Sequence, residues 1–557
     1  MSRDVIRRRF IKVKNSFFHY LECGSGFPII LLHESPKSSF AHRSLINYLS
    51  KKYKVFALDT PGYGFSDPIN KSNGKITDFA KLLNQIILNM KIDKFVLYGN
   101  HTGASIALEY GKLFPNKISG LVLESLPIFN KNEIEPIIKK FFSPINIRRD
   151  GSHLVSIWAK VEDQNIWFPW YHRNDKKMHH WVYSKPDDIH DYVMDYLRSG
   201  DSYRNAYSAA FRYNSFLSVK KLKAPSKFIS IKSDILYSHS ERLPRLKKNQ
   251  ELVIVNNFTE RQKVINYSIK SFIKKYERNR EYENHSTKKF IDINNGQIFY
   301  QILKNETSTK PILILIHDLP GISDELYQIM KKLSLKRTVI SFDIPGIGNS
   351  FMNIPKSFNM DSVVKIYNKL IDSLKIKRYD IYAQGFGGYL SLYLSDKAEI
   401  KPEKIILDRV KVLTKKEKNY LIKFNQYNLN IKNDGSHLIN TWKMIVSSKI
   451  YFPWYNKRGM ILSHKEKDFN PNDIHRVFIG IFNNPKNYLL IFSKIIIYDP
   501  RLFIKNLNKN ILIIKDSINV KLSVDKNLNI NNTKKNIIIK NYNSERNLIS
   551  IIDKFLN

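Results

Sequence analysis

Short apolar runs punctuate the first half of the chain: Ile29 to Leu32, Val55 to Leu58, Phe95 to Tyr98, Leu121 to Leu123, Phe228 to Ile231 and Leu252 to Val255. They lack the polar alternation of a half-solvated strand, which predicts strands covered on both faces, as in a parallel sheet. Between them the apolar spacing becomes helical. Residues 78–90 put Phe79, Leu82, Leu83, Ile86 and Ile87 on one face, and residues 104–114 read as a second helix. Strands alternating with helices make the predicted class α/β.

The second half repeats this layout, with runs at Ile312 to Ile316, Val339 to Phe342, Ile381-Tyr382, Ile405 to Leu407, Ile511 to Ile514 and Ile537 to Ile539. Particular words recur as well. Asp150-Gly151-Ser152-His153-Leu154 returns as Asp434-Gly435-Ser436-His437-Leu438, and Phe168-Pro169-Trp170-Tyr171 as Phe452-Pro453-Trp454-Tyr455, both at an offset of 284. His33 and His317 share that offset, as do Asp59 and Asp343. A period far above the ~20–50 residues of solenoid repeats predicts tandem duplication of a whole domain. The expected domains are residues 1–276 and 289–557, joined by a polar linker at 277–288. Each is long enough to bury its own core, and the two are expected to pack against one another.

The strand–helix alternation lapses at about 128–217 and 412–502, where the pattern is helical. The first of these inserts carries four of the six tryptophans, Trp158, Trp167, Trp170 and Trp181. An aromatic-rich helical insert after the fourth strand–helix unit predicts a lid over the carboxyl edge of the sheet, where ligands bind in such folds.

Composition narrows the partners. Of 557 residues, 43% are hydrophobic and 25% charged, ordinary for a soluble globular protein. The net charge of +41 comes from 91 basic and 50 acidic residues scattered through a Lys-, Asn- and Ile-rich sequence. There is no basic helix, aromatic platform or nucleic-acid motif, so a specific nucleic-acid partner is not expected. A basic surface would still draw in anionic small molecules. The lone cysteine, Cys23, excludes an internal disulfide and fits a reducing compartment. Residues Met1 to Tyr20 include Arg7-Arg8-Arg9 but no apolar signal stretch, and no run approaches the ~18 apolar residues of a membrane span. A cytoplasmic location is expected. The first copy holds ten of the 15 histidines, yet none has H-x-x-x-H or H-E-x-x-H spacing, and the glycines near 62 and 346 make no dinucleotide fingerprint. No metal and no cofactor are expected.

The candidate chemistry gathers at residue 101. The strand Phe95 to Tyr98 runs into Gly99-Asn100-His101-Thr102-Gly103 and then a helix. Small residues two before and two after the central one let the backbone turn sharply, which leaves the central side chain exposed at the helix N-terminus. His33-Glu34-Ser35-Pro36 and Asp59-Thr60-Pro61-Gly62-Tyr63-Gly64-Phe65-Ser66-Asp67 precede it. In this order the chain resembles the α/β-hydrolase fold superfamily. The three segments are similar to its H-G-x-P oxyanion loop, with Glu in place of Gly, its D-x-x-G-x-G-x-S segment and its G-x-Nu-x-G nucleophile elbow. The resemblance covers both copies almost end to end. It implies two tandem α/β-hydrolase domains, each a mostly parallel sheet flanked by helices with a helical lid insertion.

The departures from that pattern bear on function. The nucleophile position, Ser, Asp or Cys in the family, is His101. The family's histidine after the last strand is absent from Val255-Asn256-Asn257-Phe258-Thr259-Glu260-Arg261 and from Asn541-Tyr542-Asn543-Ser544-Glu545-Arg546. The second copy reads Ala383-Gln384-Gly385-Phe386-Gly387, with no reactive atom at the turn, and is expected to be inactive. In the first copy the positive end of the helix dipole is expected to keep His101 neutral, as a base or as a nucleophile. The resemblance places an oxyanion hole at the backbone N–H groups of Ser35 and Thr102, and an orienting acid at Glu124 or Asp234. Substrate-binding candidates are His33, Glu34, His153, Trp158, Trp167 and Trp181. The Asp-Gly-Ser-His and Phe-Pro-Trp-Tyr words survive in the copy without a nucleophile, which favours turn, cap and lid packing over substrate contact. Two functions remain open. One is hydrolysis, or a related lyase reaction, of a small, partly apolar carbonyl or ester-like compound through His101. The other is a non-catalytic ligand-binding or scaffolding role, as a pseudoenzyme.

Overall fold

The computed structural model describes residues 5–71, 73–174, 185–273, 286–355, 357–410, 412–458, 460–461, 469–516 and 536–557. Most of the expected linker, and Trp181, lie outside the described residues. The chain divides into two units: Met1–Asn146 with Ser156–Ser286, and Ile147–Val155 with Thr287–Asn557.

In the first unit, β1 (Arg7–Val13), β2 (Ser16–Cys23), β3 (Pro28–Leu32), β4 (Lys54–Leu58), β5 (Phe95–Asn100), β6 (Ile118–Glu124), β7 (Ser226–Ile231) and β8 (Gln250–Val255) form one sheet in the order β1-β2-β4-β3-β5-β6-β7-β8. β2 runs antiparallel to β1 and β4, and the remaining pairs are parallel. All five residues of β3 are buried, as its unbroken apolar run requires. Ile29, Leu31, Val55, Val96, Tyr98 and Val122 pack with Ile265 and Ile269 of the helix Phe258–Phe272, each burial worth roughly 1.5–3 kcal/mol. The helix expected at 78–90 spans Ile76–Asn89 and buries Phe79, Leu83, Ile86 and Ile87. Its first turn is closed by Asp78, whose carboxylate accepts the Lys75 N–H at 2.9 Å.

The apolar pattern did not announce the β1–β2 hairpin. Its first strand carries the Arg7-Arg8-Arg9 cluster, which reads as solvated chain. Arg8 is instead 3% exposed, with its guanidinium 4.5 Å from the Phe65 ring centre and its Nε donating to His19 Nε2 at 3.2 Å. Between β6 and β7 lie the helices Lys131–Phe141, Ser152–Ile166, Pro186–Ser199, Tyr203–Arg212 and Ser215–Lys221, matching the expected insert. Rings of Phe141, Phe142, Tyr207 and Phe211 meet there at 5.2 to 5.9 Å.

The second unit has β9 (Lys288–Ile293), β10 (Gly296–Leu303), β11 (Ile312–Ile316), β12 (Val339–Phe342), β13 (Tyr379–Gln384), β14 (Lys404–Asp408), β15 (Tyr451–Phe452), β16 (Met460–Ile461), β17 (Asn510–Asp516) and β18 (Ile537–Tyr542). Its main sheet, β9-β10-β12-β11-β13-β14-β17-β18, repeats the order of the first. Among the described residues the insert between β14 and β17 carries helices and the two-residue β15–β16 pairing, where helix was expected. Both Asp-Gly-Ser-His words fall in this unit and are braces. Asp150 and Asp434 accept the N–H of Ser152 and Ser436 at 2.9 Å, and His153 and His437 accept the N–H of Arg148 and Lys432 at 3.2 and 3.3 Å. Trp442 Nε1 donates to the Arg149 carbonyl at 2.8 Å.

The step from β5 into its helix leaves no spare volume. A Cβ on Gly103 would collide with the Leu32 carbonyl and stand 2.9 Å from that of His33, and one on Gly99 would collide with the Gly103 carbonyl. Backbone atoms of a central strand cannot step aside. Gly103→Ala is therefore expected to cost at least about 1–3 kcal/mol. This would be read as a lower urea midpoint at unchanged slope.

Candidate active site

β5 ends at Asn100 and the next helix starts at Thr102, so His101 alone makes the turn, at φ 47° and ψ −116°. Left-handed backbone is uncommon outside glycine and costs about 1–3 kcal/mol at such a residue. Two hydrogen bonds hold it: the His101 N–H donates to the Glu124 carbonyl at 3.1 Å, and its own carbonyl accepts the Ser105 N–H at 3.2 Å. The ring points to Asp234, in the loop after β7, with 2.9 Å between Nε2 and Oδ2. Asp234 is oriented in turn by the Leu236 N–H, 2.8 Å from its Oδ1. The Asp234 side chain is 3% exposed and that of His101 20%. Nε2 is committed to Asp234, and among the described residues Nδ1 has no hydrogen bond.

The His101 pKa shift runs opposite to the one expected from the helix dipole. Burial works against the imidazolium, but the Asp234 carboxylate, with Glu34 and Glu124 behind it, outweighs burial and raises the His101 pKa above its ordinary value. Three carboxylates overcome one helix dipole, whose effect fades within a turn. Asp234 is opposed by burial in the same way and, through His101, still comes out below the usual carboxylate range.

Of the two candidate acids, then, Asp234 meets the ring. Glu124 serves a second cluster: the Arg261 Nε lies 2.7 Å from its Oε1, the Tyr98 hydroxyl donates to its Oε2 at 3.0 Å, and Arg261 also donates to the Tyr98 oxygen at 2.7 Å. Arg261 comes from the segment after β8 in which no histidine occurs. Its role was not legible because a surface-type residue in a polar stretch carries no periodic signal.

The two N–H groups expected to form an oxyanion hole have counterparts in the second unit. There Asp318, at the offset of Glu34, places its Oδ1 2.7 Å from both the Leu319 N–H and the Phe386 N–H. These are the counterparts of Ser35 and Thr102, so the two N–H groups converge on one oxygen. Gly385 leaves room for that carboxylate, with which any Cβ would collide. In the first unit Glu34 is held elsewhere, by Asn100 Nδ2 at 2.7 Å and Lys37 Nζ at 3.1 Å. Among the described residues the Ser35 and Thr102 N–H groups meet no acceptor.

A sequence profile of the alpha/beta hydrolase fold matches residues 28–258 and 311–410, more than half of the chain. The chain belongs to the alpha/beta hydrolase fold family. It is 27% identical over 137 residues to a cis-3-alkyl-4-alkyloxetan-2-one decarboxylase of Shewanella oneidensis, 24% of this chain and 42% of that one. It is 30% identical over 123 residues to human epoxide hydrolase 4, 21% of this chain and 34% of that one. The chain thus spans less than half the length of these curated relatives. A crystal structure of an epoxide hydrolase from Vigna radiata aligns at 19% identity and a TM-score of 0.38, covering 49% of this chain and 98% of that one.

Within this family frame the substrate-binding candidates separate. His33 is a brace: its Nδ1 donates to the Glu34 carbonyl at 2.9 Å and its Nε2 accepts the Thr60 N–H at 2.9 Å, leaving no nitrogen for a substrate. His317 makes the same two bonds at 2.8 and 3.1 Å. His153 stands in the second unit against the Trp442 ring, 4.8 Å away. Trp158 is 4% exposed and donates to Glu162 on its own helix at 2.9 Å, an interior residue of the insert. Trp167 is half-buried, its backbone N–H donating to the Asp163 carbonyl at 2.9 Å. Glu34 remains beside His101 as a charge. His239 accepts the Ile128 N–H at 2.9 Å and does not reach the pair.

The Glu124 cluster has a stability consequence. Arg261→Leu strands a buried carboxylate, and breaking such a pair from one side costs about 3–5 kcal/mol. The double variant Glu124→Leu/Arg261→Leu is expected to regain most of that loss, as measured by urea unfolding midpoints in a double-mutant cycle.

Proposed function

We propose that the first unit hydrolyses a small, partly apolar carbonyl or ester-like compound, with His101 as general base and Asp234 as the acid that orients it. The observation that carries this reading is the 2.9 Å contact of His101 Nε2 with Asp234 Oδ2 at the elbow turn. Nδ1 takes a proton from water as the water oxygen bonds to the carbonyl carbon, and the carbonyl electron pair moves onto its oxygen. The Ser35 and Thr102 N–H groups donate to that oxygen. When the intermediate collapses, the bond to the leaving alkoxide breaks and His101 returns the proton to it. The aromatic insert supports a partly apolar substrate. The relatives named for an oxetan-2-one and for epoxides favour small oxygen heterocycles beside simple esters as test compounds.

A base works only when neutral, and the His101 pKa is raised above 6.5. Activity is therefore expected to rise with pH along a limb that lies above the ordinary histidine value. Asp234→Asn removes the carboxylate that raises it, so the limb should move to lower pH while kcat falls. His101→Ala should lower kcat/KM by about 100-fold or more on the esters, lactones and epoxides that the wild type turns over. Wild-type turnover in His101→Ala would sink this reading. The placement of Arg261, bound to Glu124 after β8, favours a second reading, a non-catalytic binding site. A ligand-induced rise in melting temperature without turnover of any compound would select it.

A further inference from the structure

In the first unit the loop after β3 is tied to the insert through side-chain hydroxyls. Ser35 Oγ donates to the Tyr63 oxygen at 2.9 Å. The Tyr63 hydroxyl donates to the Tyr203 carbonyl at 2.5 Å and accepts the Tyr207 N–H at 3.1 Å. One phenol oxygen thereby uses its single proton and both lone pairs. Tyr63 is fully buried, its ring edge-on to that of His33 at 5.6 Å. Tyr203 and Tyr207 stand one turn apart at the start of the insert helix Tyr203–Arg212. A second tie runs from the same loop, where Ser38 Oγ donates at 2.8 Å to Asp195 Oδ1 on the insert helix Pro186–Ser199.

The second unit has neither tie. Ser35 and Tyr63 become Leu319 and Ile347 at the offset of 284, and neither side chain can hydrogen-bond. Ser38 becomes Ile322, and Asp195 becomes Gly480 at the offset of 285 that relates Asp188-Ile189-His190 to Asp473-Ile474-His475. Ile322 lies against Gly480 so closely that a Cβ there would collide with it. The loop of the second unit is held from within, by Asp318 on the Leu319 and Phe386 N–H groups. Apolar contact is non-directional, whereas a chain of hydrogen bonds fixes both distance and angle. The hydroxyl chain stands in the unit whose Ser35 N–H has no carboxylate to hold it.

The geometry points to Tyr63 as a positioning residue: through the Ser35 hydroxyl it sets the direction of the Ser35 N–H, and it makes that direction depend on where the insert lies. The kinetic half of this inference rests on hydrolysis at His101. The coupling of loop and insert does not.

Tyr63→Phe deletes the hydroxyl and keeps the ring. Ser35→Ala cuts the chain at the loop and keeps the Ser35 N–H position. Hydrogen–deuterium exchange of the full chain, read by mass spectrometry, should quicken in both variants over residues 34–39 and 203–208. The expected factor is about fivefold, the weight of one hydrogen bond. The helix Ile76–Asn89 should be unchanged, which separates local loosening from global unfolding. On an ester that the wild type turns over, each variant should lower kcat by about tenfold or more with KM within about twofold. The double variant should lose no more than Tyr63→Phe alone, because both changes cut the same chain. Unchanged exchange at 203–208 in Ser35→Ala overturns the coupling. An unaltered kcat in Tyr63→Phe, a loss carried by KM, or additive losses in the double variant overturns the positioning role. If the wild type turns over nothing, the hydrolysis reading falls and the exchange measurement alone decides on the coupling. If melting curves show that Tyr63→Phe is unfolded, Ser35→Ala decides.

Discussion

The close approach of the β5–helix turn to β3 governs everything built on it. Gly103 lies against the carbonyls of Leu32 and His33, and the strand below is buried on both faces. The helix can start in only one place, so residue 101 is forced into left-handed backbone and its side chain stands clear of the sheet. The same contact brings the loop after β3 beside the helix N-terminus, and with it Ser35 and Glu34. His33 ties that loop to the β4 loop through its two ring nitrogens, and His317 does so in the second unit.

On this shared frame the two units balance buried charge differently. The first gathers Glu34, Glu124 and Asp234 around one turn. Lys37 and Arg261 answer two of them, and the imidazole of His101 answers the third, which is why its proton is held more tightly than burial alone would allow. The second unit has Asp408 in place of Glu124, met by Tyr382 at 2.6 Å and by Arg409, the adjacent residue. Its Asp318 carboxylate is met by two backbone N–H groups instead of a cation. Replacing Glu34 by a side chain one carbon shorter, and His101 by glycine, turns an open donor pair into a filled one.

The main strands were legible because unbroken apolar runs this short have few other uses, and the turn at residue 101 because only small residues permit it. The β1–β2 hairpin was not, because a buried arginine under Phe65 looks in sequence like any solvated one. The direction of the His101 pKa shift was the sharper miss. The helix dipole is a local property and pulls the His101 pKa down, while the carboxylates that raise it come from residues 34, 124 and 234. His33 and Trp158 were plausible substrate contacts by type, yet both spend their polar atoms on neighbouring protein.

The sequence by itself determined the strand–helix alternation, the two matched halves, and the contrast between His101 and Gly385, because each is written in local spacing or in residue identity at a fixed offset. Only the tertiary structure decided that Asp234 pairs with His101 while Glu124 pairs with Arg261, and that Asp318 accepts from two backbone N–H groups while Glu34 turns to Asn100 and Lys37. Those choices depend on which side chains from distant segments come within about 3 Å of one another. Hydrogen bonds and charge pairing fall off over such distances, and spacing along the chain does not encode them.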